Sequence, residues 1–103
     1  MSDDVKSPDA CRTMGDVRAG VDAVDAALVA LLVQRFGYMR AAARIKESRS
    51  AVRDETRKAE VIAAVRTAAG QAGLPAEVLA RLWDDLVEAS IAYELDEWDR
   101  LRR

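Results

Sequence analysis

Between about Met14 and Ser48 the apolar residues Val17, Val21, Val24, Leu28 and Leu31 return in alternating steps of four and three. That rhythm keeps one face of a helix apolar and predicts a single amphipathic helix. Gly15, Gly20 and Gly37 are the only helix-weakening residues in the run, and no proline falls within it. At 1.5 Å per residue the helix is about 50 Å long. Two short partners from the same chain cannot cover a stripe of that length, which predicts a helix shared across a dimer. A break follows near residues 50–53. Asp54 then has the character of an N-cap, with Glu55 favourable in the first turn. A second helix is predicted over about residues 55–69, with Val61, Ile62 and Val65 on its apolar side and Gly70 and Gly73 ending it. Pro75 opens a third helix, where its missing N–H costs nothing, and that helix runs to about Arg100. Val78, Leu79, Leu82, Leu86, Val87, Ile91, Trp98 and Leu101 are its core candidates. The pattern is all-α, with three helices per chain over residues 14–103, after a segment 1–13 expected to be disordered.

Composition agrees with this reading and narrows the chemistry. Half of the 103 residues are hydrophobic and a third charged, with few glycines, prolines and aromatics, a mix that suits helices and argues against a sandwich or barrel. A net charge of -2 gives no electrostatic footprint for nucleic acid. Cys11 is the single cysteine and there is no histidine, so neither an internal disulfide nor a conventional zinc site is available. The expectation is no metal and no cofactor. The longest apolar run, residues 26–33, is far short of the roughly 20 residues needed to span a bilayer. No apolar core of a signal peptide stands near the start, so a cytoplasmic location without a membrane partner is expected.

The informative positions are those where apolar stripes carry charge. The first stripe, continued by a heptad from Leu28, reaches Arg35. Eleven residues on stands Lys46, about 20° around the helix axis and roughly 16 Å along it, so both cations point the same way. Buried cations need anionic partners. The third stripe, Val87, Ile91, Trp98 and Leu101, holds Glu94 at its centre, with Ser90 one turn earlier. Glu94 can pair with one of the two cations as an internal salt bridge. With Arg18, Arg53 and Arg57 also candidates, cations outnumber inward acids, and a dianionic ligand would balance them. Of the basic cluster over residues 44–60, Lys46 lies on this inward line. Arg44, Arg49 and Lys58 are expected to face water, and Arg53 is undecided.

These residues resemble a known family. VRAGVDAVDAALVALLVQR, residues 17–35, is similar to the opening helix of the all-helical (type II) chorismate mutases, and the resemblance runs through Lys46, the Arg53–Asp54 loop, Arg57 and LARLWDDLVEASIAYE of the third helix. It implies an intertwined homodimer acting on chorismate, a small dianion, on the route to phenylalanine and tyrosine, with no cofactor. Carried across residue by residue, Arg18 is the arginine supplied by the partner subunit and Arg35 binds a substrate carboxylate. Lys46 bridges a carboxylate and the ether oxygen. Asp54 sits near the ring hydroxyl, Arg57 near the far carboxylate, and Ser90 makes a polar contact. Independently of the family, Arg18 and Arg35 lie about 260° apart around the helix, which agrees with a role for Arg18 across a dimer. Two substrate-facing positions depart from the common bacterial pattern. Lys58 stands where a glutamate is usual, and Glu94 where a glutamine is usual, as in the fungal branch.

The implied reaction rearranges chorismate to prephenate. It requires a compacted substrate and donors at an ether oxygen that gathers negative charge. Lys46 and a protonated Glu94 would supply them, since only the acid form of a carboxyl donates. Arg35 would fork a carboxylate. Beside a mutase acting on an amino analogue of chorismate, two alternatives stay open. Isochorismate pyruvate-lyases belong to the same family, and Tyr38–Ala42 and the Ile91–Ala92…Trp98 pattern resemble that branch, whereas the Arg53–Asp54 pair is more mutase-like. A non-catalytic dimerisation module that binds a chorismate-like molecule is the other.

Overall fold

The computed structural model describes residues 5–103, and the first four residues of the segment expected to be disordered lie outside that range. From Val5 onward this segment carries a 3-10 turn, Pro8–Ala10, and then the cap of the first helix. Three helices follow: α1 over Met14–Ile45, α2 over Glu55–Gln71 and α3 over Ala76–Leu101, with a 3-10 turn, Arg49–Ala51, between α1 and α2. No strand occurs among the described residues. The chain divides into two compact units, one through Phe36 and one from Gly37 to Arg103.

In the first unit α1 starts from a reciprocal cap. The Asp16 N–H donates to Thr13 Oγ1 at 3.1 Å, while Asp16 Oδ2 accepts from the N–H groups of Arg12 at 2.9 Å and Thr13 at 3.3 Å. The arrangement satisfies donors that a helix start leaves open. Those backbone bonds, led by Arg12, with the Lys6 ammonium 3.3 Å away, hold the Asp16 carboxyl below its ordinary range. Within this unit the apolar stripe is not covered: Val17, Val21, Val24, Leu28 and Leu31 are 38–61% exposed. A shallow apolar hollow of about 540 Å³ lies between Val5, Pro8 and Cys11 and the Val17, Val21 and Val24 side of α1.

The second unit holds the core. Asp54 caps α2 by accepting from the Arg57 N–H at 3.0 Å. The helix ends in a paired reverse turn. Gly73, at φ +76°, sits in the left-handed region that favours glycine, Gly73 N–H donates to the Gly70 carbonyl, and Leu74 N–H to that of Ala69. Gly70 lies within α2, so the break comes from Gly73 and not from both glycines. The short link folds α3 back against α2. Val52, Val87 and Ile91 are buried together, with Val61, Ile62, Leu95 and Trp98 packed around them. Val78, Leu82 and Leu101 depart from the predicted core: within this unit they are 42–56% exposed.

The C-terminal end of α1 is tied down by α3. Trp98 Nε1 donates to the Lys46 carbonyl at 3.1 Å, and Arg102 donates to the carbonyls of Ala43 (3.1 Å) and Lys46 (2.9 Å) while its guanidinium lies 4.1 Å over the Trp98 ring. These contacts satisfy carbonyls that a helix end leaves open and place positive charge at the negative end of the dipole. Arg40 adds a bond to Tyr93 Oη at 2.8 Å. Trp98→Phe keeps a ring but removes the indole donor. It should lower stability by about 1 kcal/mol, seen as a lower urea midpoint with an unchanged slope. An unchanged midpoint would show that Arg102 alone holds this end of α1.

Candidate active site

Lys46 lies one residue past the end of α1, its N–H still bonded to the Ala42 carbonyl at 2.9 Å, so the helix axis aims its side chain. The ammonium stands 2.8 Å from Glu94 Oε2 and donates to the Val52 carbonyl at 3.4 Å. Glu94 is 4% exposed. Its Oε2 has the ammonium at ion-pair distance but no well-aligned hydrogen bond. A buried carboxylate in that condition lacks the full set of donors that burial calls for. Ser90, one turn earlier on α3, is also buried, and its hydroxyl donates to the Leu86 carbonyl at 2.7 Å.

The remaining candidates are held by local partners. Asp54 spends one oxygen on the cap of α2, and Arg57, well exposed, stands 3.5 Å from Glu60. Lys58 departs from the water-facing expectation. Its ammonium lies 2.9 Å from Asp84 and 2.7 Å from Glu88, with its side chain only 21% exposed. Arg53 is decided in the same way: its fork holds both oxygens of Glu88, at 2.7 and 3.1 Å, and also reaches Glu55 at 3.1 Å. Both cations are engaged by carboxylates of this unit. Arg49, exposed as expected, forks Asp99 at 2.9 and 3.2 Å. Arg18, exposed, and Arg35, half-buried, belong to the first unit. The structure thus joins Lys46 to Glu94 and keeps Asp54 and Arg57 together at the start of α2.

Asp84 and Glu88 had no role in the sequence reading. Two acids at i,i+4 repel each other on a helix unless a cation sits between them, and that spacing was the available signal.

Comparison with known proteins adds two findings. A family model for chorismate mutase type II matches residues 17–95. The chain is also 29% identical over 98 residues to an isochorismate pyruvate lyase of Pseudomonas aeruginosa (strain PAO1), a match covering 95% of this chain and 97% of that protein.

The ion cluster predicts a response to acid. The Arg53 fork, then Lys58, pulls the Glu88 carboxyl from its ordinary 4.5 down to about 2, and both cations are held above their ordinary range in return. A carboxyl lowered in the folded state contributes stability that is complete above its unfolded value and lost as pH falls through its folded value. The melting temperature should therefore decline between about pH 4.5 and pH 2, and Glu88→Gln should flatten part of that decline. Parallel declines in the two proteins would show that Glu88 carries none of it.

Proposed function

The chain belongs to the type II chorismate mutase family, and on that premise we propose that it converts chorismate to prephenate. The observation that carries the reading is the Lys46–Glu94 pair, an ammonium and a buried carboxyl meeting at 2.8 Å. In this rearrangement the ether C–O bond breaks as a C–C bond forms within the same molecule, so no group leaves and no nucleophile is needed. Negative charge gathers on the ether oxygen. Lys46 turns from Glu94 to that oxygen and a substrate carboxylate, and Glu94 in its acid form is the second donor. Arg35 and Arg57 bind the two carboxylates, Asp54 accepts from the ring hydroxyl with the oxygen not engaged in the cap, and Ser90 lines the site. Arg57, held among the described residues by an exposed, long contact to Glu60, can turn to a ligand at small cost.

The active form is a homodimer, with Arg18 supplied by the partner subunit. The exposed stripe from Val17 to Leu31 supports this. Burying an apolar side chain is worth about 1.5–3 kcal/mol, and five such side chains on one helix face are the material of an interface. A location in the cytoplasm goes with this reading. Among the described residues no helix is long and apolar enough to cross a membrane.

A second reading, isochorismate pyruvate-lyase activity, is favoured by the name of the Pseudomonas relative and by Lys58, which is tied to α3 and offers no acceptor to a ring hydroxyl. Asp54 weighs for the mutase, because chorismate carries a ring hydroxyl that wants an acceptor at that place. Steady-state turnover of chorismate across pH tests the donor pair. The rate should fall as pH rises, and Glu94→Gln, a donor at every pH, should flatten the profile. A wild-type profile already flat from acid to alkaline pH would remove Glu94 from the mechanism.

A further inference from the structure

We propose that Glu88 is a positioning residue for Lys46, acting through the loop between α1 and α2. The inference rests on the reading of Lys46 as the substrate-facing cation. Residues 47–53 carry little regular structure beyond the 3-10 turn Arg49–Ala51, yet the Val52 carbonyl in this loop is the second contact of the Lys46 ammonium. Where Val52 sits therefore decides where the ammonium sits when Glu94 releases it. Beyond the turn's own bond from its N–H to the Arg49 carbonyl, Val52 is held against α3 in two ways. Its side chain is buried against Val87 and Ile91 of α3, and the next residue, Arg53, is clamped to Glu88, also on α3, through two parallel N–H to oxygen bonds.

The two holds differ in what they fix. Apolar burial is non-directional, and it keeps Val52 on α3 without setting the rotation of the peptide that bears its carbonyl. A fork on both oxygens of one carboxylate fixes orientation as well as distance. Lys58 steadies the carboxylate from the other side, 2.7 Å from Glu88 Oε2. This gives Lys58 a place in the same device. The cation that stands where the family usually has a glutamate orients Glu88, and Glu88 orients the loop. Asp84 is the internal control, because it meets Lys58 at 2.9 Å and makes no contact with Arg53.

The experiment compares wild type, Glu88→Gln and Asp84→Asn by turnover and by amide exchange. The Ala51 and Val52 N–H groups, which close the 3-10 turn on Ser48 and Arg49, report loop order directly. In E88Q they should exchange about tenfold faster or more, while helical content stays at the wild-type level. Its kcat should fall about tenfold with KM changed less than about threefold, because a misplaced donor weakens the transition state more than binding. D84N should stay within about twofold on every measure. Equal effects in the two variants would overturn the proposal, since the cluster would then be a general tie between α2 and α3. A loss of kcat with unchanged exchange at Ala51 and Val52 would also overturn it. If wild type turns over neither chorismate nor isochorismate, the functional reading fails by itself. The exchange rates, with the Lys46 Nζ resonance, then decide whether Glu88 orders the loop.

Discussion

Glu94 is a carboxyl placed where its helix meets the core, and the arrangement of the second unit follows from the need to answer it with a cation. An isolated buried carboxylate is very costly, and breaking such a pair by removing one partner typically costs about 3–5 kcal/mol. Lys46 meets the need from the end of α1, which requires that this end be held in place. Trp98 and Arg102 hold it by binding the last open carbonyls of the helix. The loop that follows must then lie against α3 so that the Val52 carbonyl can share the ammonium. A pair of this kind adds little net stability compared with an apolar pair of the same shape. In the proposed function its value lies in releasing the ammonium to a dianion.

That view orders the charged contacts by consequence. The Arg49–Asp99 and Arg53–Glu88 forks are open to water, so screening leaves them small contributors to global stability. Burial of Val52, at about 1.5–3 kcal/mol, is the larger anchor of the loop. The forks instead fix orientation, one at each end of the segment that carries the Val52 carbonyl. Lys58 joins one of them through Glu88, and so a residue that breaks the common family pattern still has a physical function in this chain.

The helices were legible in the sequence because periodicity and end signals are local. Asp54 capped α2 as its residue type and position implied, and Gly73 ended it. The Glu94 salt bridge was legible as well, because an acid at the centre of an apolar stripe has few ways to be satisfied. Lys58, Arg53 and Glu88 were not, since their pairing joins α2 and the loop to α3 across 30 or more residues, a distance no periodicity spans. Trp98 was read as a core side chain, and its indole proved also to cap α1. Val78, Leu82 and Leu101 show the limit of a stripe: it marks a face that wants cover without saying what covers it. The stripe of α1 is the larger instance, and the proposed second copy is its occupant.

The central claim is that the Lys46–Glu94 pair serves the rearrangement of chorismate. It is tested most directly by incubating the purified protein separately with chorismate and with isochorismate and identifying the products by NMR. Prephenate from chorismate, formed without release of pyruvate, is the predicted result. Pyruvate and salicylate from isochorismate, with chorismate left unchanged, would contradict the account and assign the same ammonium to an elimination.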